Sequence, residues 1–123
     1  MCPLLKQILF TSLYTKQNDN RPMSAKPKKL TKQQIQKELE TLENWSYVQE
    51  KLQRRFKFKD FVEAFGFITQ VALIAESMNH HPEWSNIYHT VIVDLTTHDV
   101  GGISNFDIVL ANRIEQLYKA RVI

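Results

Sequence analysis

The feature that most constrains the fold is one long apolar stretch with helical spacing, closed by a proline. Asp60 can cap a helix at its start, with Glu63 at the favourable third position. The apolar residues that follow form one predicted stripe: Phe61, Phe65, Ile68, Ala72 and Ala75. Because Pro82 disfavours helical backbone at His81, we expect the helix to end at about His80.

This stretch carries more apolar side chains than one stripe needs. The additional ones lie beside or beyond it: Val62, Val71, Ile74 and Met78. A peripheral helix of a small domain is apolar on one face only. We therefore predict that one face covers a sheet and that the surplus forms a subunit interface, which makes the protein a homo-oligomer.

Alternating apolar and polar residues before this helix predict a β-hairpin. Residues 45–48 form its first strand and residues 52–58 its second, with Glu50 and Lys51 in the tight connection. Arg54 interrupts the apolar face of the second strand. An edge position in the sheet is the simplest explanation for a charged side chain there.

A second alternating pattern follows the helix. It runs over residues 87–96 and predicts the longest strand, central in an antiparallel sheet, with His89 inside it as a structural residue. The short segment 83–85 is expected to pair alongside this strand, with Asn86 in the turn between them. The chain thus has two pairs of strands separated by the long helix.

Two capping boxes predict helices at the two ends of the domain. Thr31 with Gln34 begins a short amphipathic helix, expected to run to about residue 43. Ser104 with Asp107 begins the last helix, expected to run to about residue 118. The predicted order of elements is an N-terminal helix followed by β-β-α-β-β-α.

Length and composition bound the remaining possibilities. A chain of 123 residues is one domain; we expect residues 1–28 to be a flexible tail and 29–123 to be the folded domain, with Met23 as an alternative start. No segment reaches the ~18 consecutive apolar residues that span a membrane. The single cysteine, Cys2, excludes an internal disulfide and fits a reducing, cytoplasmic location.

The charge balance is mildly basic, with a net charge of +3. Much of the excess lies next to the tail, in Lys26, Lys28, Lys29 and Lys32. A nucleic-acid-binding domain more often shows a basic stripe interleaved with aromatic residues. We therefore expect no specific nucleic-acid binding, and at most a weak attraction that depends on the tail and on salt.

Histidines are concentrated at two ends of predicted elements. Of the four histidines, His80 and His81 follow the long helix and His98 follows the last strand. Glu76, one helical turn before His80, can reach that imidazole, and Trp84 adds a flat aromatic surface. A lone histidine is usually structural, but acid–base groups with an orienting carboxylate and an aromatic wall are typical of a small-molecule site.

These residues closely resemble a known family, the pterin-4a-carbinolamine dehydratases. The resemblance rests on residues 76–84, 86–88 and 95–104 with Asp107, and it extends over residues 30–118. It implies an α+β fold, a four-stranded antiparallel sheet with helices on one face, assembled as a homodimer or homotetramer. It also implies dehydration of 4a-hydroxytetrahydropterin to quinonoid dihydropterin during tetrahydrobiopterin recycling.

The resemblance further assigns the site. His80, His81 and His98 match the three active-site histidines, and Glu76 and Trp84 match supporting positions. Substrate contacts are implied at eight positions: Asn79, His80, His81, Trp84, Thr96, Thr97, His98 and Asp99. Many members are acidic where this chain has Asn79, which bears on fine substrate contacts, and some have arginine at Phe106, which bears on the pocket rim. Neither difference touches the histidines.

The chemistry agrees with these residue types. Loss of water needs one proton delivered to the oxygen and another removed from a ring nitrogen, and histidine can do either near neutral pH. We predict that His80 and His98 are the acid–base groups and that His81 holds the pterin and assists in catalysis. Glu76 is predicted to orient His80, and Trp84 to cover one side of the pterin ring. No cofactor is needed, and the pattern is a poor match to a zinc site.

One alternative comes from the same family. Animal members also act as dimerisation cofactors of a homeodomain transcription factor, so a protein partner is conceivable for this fold. A pure binding module would keep its function without the histidines and would lose it when the apolar helix around Phe65 and Ile68 is disrupted. We rank this function well below catalysis because nothing in the sequence indicates such a partner.

Overall fold

The computed structural model describes residues 26–121. It contains three helices, α1 (Lys32–Leu39), α2 (Phe61–Met78) and α3 (Asn105–Ala120). It also contains four strands, β1 (Ser46–Val48), β2 (Lys51–Lys57), β3 (Glu83–Ile87) and β4 (Thr90–Leu95). All neighbouring strands pair antiparallel in the order β1-β2-β4-β3. The predicted α+β fold is confirmed.

The core lies between the sheet and the helices. Alternate residues of β4 are buried, as the period of a strand with one covered face requires. They pack with apolar side chains of α2 and α3 in one buried cluster, whose sheet members are Leu52, Phe56, Val91, Val93 and Leu95. The layer of helices therefore covers one face of the sheet, and the hairpins present the other face to solvent.

The caps that were predicted from the sequence begin all three helices. Thr31 and Ser104 each form a complete capping box, and Asp60 accepts a hydrogen bond from the Glu63 backbone N–H at 2.9 Å. The N-terminal helix is shorter than predicted: it ends at Leu39, and the buried Leu42 lies in the segment after it. Local capping chemistry therefore fixes where helices begin better than where they end.

The face of α2 that packs on the sheet differs from the predicted stripe. The buried residues are Ala64, Phe67, Val71, Ala75 and Met78. Phe61 and Phe65, which the sequence pattern assigned to the core stripe, are instead 49% and 54% exposed. Two apolar stripes coexist on this helix, so periodicity alone could not decide which one faces inward.

The length and hydropathy of α2 also meet the criteria for a membrane-spanning helix, contrary to the expectation from the sequence. A core helix of a sheet-packed domain meets the same criteria, and five residues of α2 lie in the interior. One side of α2 packs on the sheet, and the other side leaves apolar side chains exposed.

The prediction for the second pair of strands needs correction. The long alternating pattern is interrupted at Tyr88 and His89, which form a turn in which Tyr88 has a φ of +51°. His89 is thus a turn residue, β3 reaches Ile87, and Asn86 belongs to that strand. β4 is central, but at six residues it is shorter than the seven-residue β2. Apolar and polar residues continue to alternate through this tight turn, so the sequence pattern does not reveal it.

The first hairpin turns one residue earlier than predicted. Gln49 and Glu50 both have positive φ values, of 51° and 63°, and Lys51 is already paired with Val48. Positive φ at both central residues characterises a two-residue turn whose twist matches that of the strands. Neither residue is glycine or asparagine, so the usual sequence signal was absent.

Arg54 does not lie on an edge strand, because β2 pairs with β1 on one side and β4 on the other. Its Nε donates to Glu115 Oε1 at 2.6 Å, and the same oxygen accepts from Trp45 Nε1 at 2.9 Å. Its guanidinium carbon lies 4.3 Å from the centre of the Phe56 ring. A charged partner on α3 and an aromatic surface therefore allow this arginine on the covered face.

Most of the predicted tail lies outside the described residues, so the boundary of the domain stays a prediction. From Lys28 the chain is hydrogen-bonded to the start of α3: the Lys28 N–H donates to Asn105 Oδ1 at 2.8 Å, and the Asn105 N–H donates to the Lys28 carbonyl at 3.3 Å. The Leu30 N–H donates to the Ile103 carbonyl at 2.9 Å. This short segment thus runs beside the loop that leads into α3.

Candidate active site

The end of α2 delivers the first two histidines to the site. Asn79 adopts a left-handed conformation with a φ of +51°, and its N–H donates to the Glu76 carbonyl at 3.1 Å. The His80 N–H donates to the Ala75 carbonyl at 3.1 Å, which completes a common helix-ending motif. The helix ends where Pro82 predicted, and the reversal turns the His80 side chain towards the interior, where it is 10% exposed.

A buried carboxylate at the start of α3 holds His80. Asp107 Oδ1 lies 2.6 Å from His80 Nε2, and the Asp107 side chain has no exposed surface. Its other oxygen accepts from Thr97 Oγ1 at 2.7 Å and from the Ser104 backbone N–H at 2.8 Å. Every polar contact of this carboxylate is thus made by protein, which orients the imidazole rigidly.

The other two histidines also contact carboxylates through Nε2. His81 Nε2 lies 2.9 Å from Glu76 Oε1, and His98 Nε2 lies 3.3 Å from Glu83 Oε2. These side chains are much more exposed than His80. The predicted pair between Glu76 and His80 is wrong: the αL turn at Asn79 moves His80 inward and leaves Glu76 beside His81.

This shared geometry indicates which nitrogen is available for chemistry. An ionised carboxylate only accepts hydrogen bonds, so the Nε2 atom facing it carries the hydrogen. In the neutral imidazole, Nδ1 then holds the lone pair that can accept a proton. The three carboxylates therefore favour the same tautomer in His80, His81 and His98, with Nδ1 as the basic atom.

A pocket of about 250 Å³ lies where the end of α2 meets the segment after β4. Seven predicted site residues line it: Asn79, His80, His81, Thr96, Thr97, His98 and Asp99. Two other predicted site residues lie outside the lining. Glu76 binds His81 from the exposed side, and Trp84 lies on β3 opposite Val93, on the helix-facing side of the sheet.

The segment after β4 is shaped by two glycines. Gly101 has a φ of +68°, which closes the short 3₁₀ turn His98–Val100. Gly102 pairs with Thr97 through two backbone hydrogen bonds, and a Cβ on it would lie 3.1 Å from Lys29 Cε. The Gly-Gly pair thus returns the chain closely enough for Ser104 and Asp107 to reach Thr97.

Glu83 connects the site to the outer face of the sheet. Its Oε1 lies 2.5 Å from Lys51 Nζ, while its Oε2 faces His98. The hydrogen bond from Lys51 lowers the pKa of Glu83 below the usual carboxyl range, against the opposing effect of burial. Glu83 is therefore ionised near neutral pH and can accept from the imidazole.

A second, larger depression of about 610 Å³ runs along α1, lined by Lys32, Gln33, Gln36, Lys37 and Glu40. These are exposed side chains of one surface helix and its end, with no histidine or buried polar group among them. The smaller pocket carries the acid–base chemistry. Within residues 26–121, no group of three histidine, cysteine, aspartate or glutamate side chains is arranged to hold a metal ion.

Sequence reasoning did not assign Asp107 and Glu83 to the histidines. Asp107 was recognised as a capping residue, and that local role is correct. Its contact with His80 spans 27 residues and depends on the meeting of two helix ends. The proximity of Glu83 to His98 depends on the pairing of β3 with β4. The acidic residue types were visible, but their partners were not.

Comparison with known proteins finds similar sequences over most of the chain. A sequence model described as Pterin 4 alpha carbinolamine dehydratase matches residues 28–117. A candidate pterin-4-alpha-carbinolamine dehydratase of Prochlorococcus marinus (strain MIT 9313) is 54% identical over 88 residues, which cover 72% of this chain and 92% of that protein. One from Solibacter usitatus (strain Ellin6076) is 51% identical over 89 residues, covering 72% of this chain and 94% of that protein.

A solved structure is similar as well. The crystal structure of a transcriptional coactivator/pterin dehydratase from Brucella melitensis superposes with a TM-score of 0.72 at 42% sequence identity. The match covers 74% of this chain and 99% of the Brucella chain. The similarity thus extends over essentially the whole of the solved domain.

Proposed function

This chain belongs to the pterin 4 alpha carbinolamine dehydratase family, and on that premise we propose that its histidine pocket dehydrates 4a-hydroxytetrahydropterin. The observation that carries the proposal is the His80–Asp107 pair, a buried imidazole and carboxylate 2.6 Å apart at a pocket that two further histidines line. The products are quinonoid dihydropterin and water, which fits a role in recycling a tetrahydropterin.

The reaction balances with two proton transfers. The C4a–O bond breaks, the oxygen receives a proton and leaves as water, and the neighbouring ring nitrogen loses its proton as the C=N bond forms. We assign proton removal to Nδ1 of His80, because Asp107 stabilises the imidazolium that forms. We assign proton delivery to His98, whose side chain is 82% exposed and can be reprotonated by water.

The remaining pocket residues position the substrate in this proposal. His81 and Asn79 lie on the α2 side, while Thr96 and Asp99 lie on the opposite side. Polar side chains and backbone groups on both sides suit a flat heterocycle with several donors and acceptors. The aromatic wall assigned to Trp84 stays a prediction.

Turnover of the 4a-carbinolamine, followed by ultraviolet absorbance, tests the assignment. We expect His80→Ala and His98→Ala each to lower the rate by roughly 10²- to 10⁴-fold, the usual contribution of one proton transfer. His89→Ala is the matched control, because His89 lies in the β3–β4 turn, outside the pocket lining. Its rate should equal that of the wild type.

Thermal melting of each variant separates loss of chemistry from loss of fold. A folded His80→Ala protein with wild-type turnover would refute the catalytic role of this histidine. Rates that do not exceed the spontaneous background in the wild type would refute the enzymatic function and favour a protein-binding module of the same fold.

We also propose that the chain assembles as a homodimer or homotetramer. The outer side of α2 exposes large apolar residues: Phe61, Val62, Phe65 and Leu73. Contiguous exposed apolar surface on a small domain is typical of a protein interface. Light scattering should give a mass above 14.5 kDa, and Phe65→Glu should lower it. A monomeric wild type would contradict the assembly and leave the dehydratase proposal intact.

The expected setting is a reducing compartment such as the cytoplasm. Cys2 is the only cysteine in the sequence, so the fold cannot depend on an internal disulfide. The substrate and the acid–base mechanism place no demand on a metal or a redox partner.

A further inference from the structure

A row of polar side chains crosses the outer face of the sheet and ends at His98. Gln53 of β2, Asp94 of β4 and Glu83 of β3 occupy directly paired positions, so their side chains share this face. Gln53 Nε2 donates to Asp94 Oδ1 at 2.9 Å. Lys51, two residues before Gln53, reaches across the central strand to Glu83.

Glu83 uses its two oxygens for two different partners. Oε1 faces the Lys51 ammonium at 2.5 Å, and Oε2 faces His98 Nε2 at 3.3 Å. A charge-assisted hydrogen bond at one oxygen restricts the rotation of a carboxylate, so its second oxygen favours one direction. The charged side chains that act on Glu83 are Lys51 from β2 and His98 from the turn, while Asp94 from β4 acts on Lys51.

We propose that Glu83 is a positioning residue for His98, and that Lys51 holds Glu83 in the orientation that selects the Nε2–H tautomer of this histidine. Glu83 does not line the pocket, so it acts through His98 and not on the pterin. The inference rests on the proposed function, because it gives His98 a catalytic role.

His98 needs a positioning residue because its side chain is exposed. His80 is held by a fully buried carboxylate, whereas the His98 side chain is 82% exposed and begins a short turn. An exposed imidazole exchanges freely between tautomers and rotamers unless a neighbour selects one. Glu83 lies on a paired strand, so the sheet provides the rigidity that the turn lacks.

Nitrogen NMR of His98 tests the tautomer without any measurement of activity. In the full-length wild type we expect the Nε2–H form to predominate, with a hydrogen-bonded Nε2. In Glu83→Gln we expect a mixture of tautomers. A predominant Nδ1–H form in the wild type, or unchanged tautomer populations in the variant, would overturn the proposal.

Kinetics provide the second test. Glu83→Gln should lower kcat roughly threefold with little change in KM, the range expected when a partly exposed charge pair is lost. Lys51→Met should also lower kcat, by no more than Glu83→Gln does, because Glu83 then loses the partner that holds its orientation.

Two controls make the outcome specific. Glu43→Gln also removes one surface carboxylate, and Glu43 is exposed and does not line the pocket; it should leave kcat and the His98 tautomer unchanged. His98→Ala distinguishes the two proposals. If that variant keeps its turnover, the catalytic role of His98 fails. If His98→Ala is inactive while Glu83→Gln and Lys51→Met both match the wild type, the positioning role alone is refuted.

Discussion

The molecule contains the same pair, a histidine and a carboxylate, in two contrasting environments. His80 and Asp107 meet in the interior, where the carboxylate has no exposed surface and all its partners are protein groups. His98 and Glu83 meet at the surface, where 82% and 43% of their side chains are exposed. Residue types alone would rank the two pairs as equals.

The difference between them is the competition from water. At the surface, water can replace either partner, so an exposed pair contributes little net free energy. In the interior, removal of one partner leaves the other polar groups desolvated and without a hydrogen bond. Burial of a pair, and not the identity of its two residues, therefore decides how strongly the stability of the fold depends on that pair.

Replacement of the buried carboxylate should have the largest effect on stability. Asp107→Ala removes the acceptor of His80 Nε2, the Thr97 hydroxyl and the Ser104 N–H at once. We expect the free energy of unfolding to fall by about 3 kcal/mol, measured by urea denaturation. Asp99→Ala, which removes an exposed carboxylate, is the control; equal losses in the two variants would break the comparison.

The largely buried Arg54–Glu115 pair tests whether the loss of stability comes from burial or from the presence of a histidine in the pair. Arg54→Ala removes the partner of Glu115 and the cation over the Phe56 ring. We expect a loss of about 2 kcal/mol, smaller than for Asp107 because Trp45 continues to donate to Glu115. Arg55→Ala, at the next and exposed position of β2, should change stability far less. A larger loss from Arg55 would show that burial is not the deciding factor.

The exposed pair beside the pocket should contribute little. Glu76 and His81 are 2.9 Å apart, with side chains 79% and 58% exposed. Glu76→Gln should therefore change the free energy of unfolding by less than about 0.5 kcal/mol. Chemical denaturation of this variant beside the wild type measures it, and a loss as large as that of Asp107→Ala would contradict the contrast.

The pH dependence of the Glu83 pair should be the smallest effect and has a defined sign. Lys51 holds the pKa of Glu83 below its ordinary value of 4.5. The stability from this carboxylate is therefore present above 4.5 and is lost as the pH falls through the lower folded value. The stability difference between wild type and Glu83→Gln should shrink as the pH is lowered from 6 to about 3. A stability difference that grows on acidification would contradict the lowered pKa of Glu83.

The elements of the fold were largely readable because their signals are local. The capping residues Thr31, Asp60 and Ser104 and the stop at Pro82 act within a few residues of themselves. The errors arose where a pattern has two solutions. Two apolar stripes on α2 gave no basis for choosing the buried one, and alternation continued through the turn at Tyr88 and His89.

The candidate site divides in the same way. The family resemblance predicted the seven residues that line the pocket, three histidines and four of their neighbours. These positions could be predicted because they lie in two contiguous sequence motifs. The partners of His80 and His98 could not be predicted from the sequence. Asp107 reaches His80 through the packing of α2 on α3, and Glu83 reaches His98 through the pairing of β3 with β4.

The sequence by itself determined which elements form, where the helices begin, and which acid–base groups the chain presents, because caps, prolines and periodicity act over one or two turns of chain. Only the tertiary structure decided which carboxylate meets which histidine and which face of α2 is covered. Those outcomes depend on distances between segments far apart in sequence, and on the exclusion of water that packing alone provides.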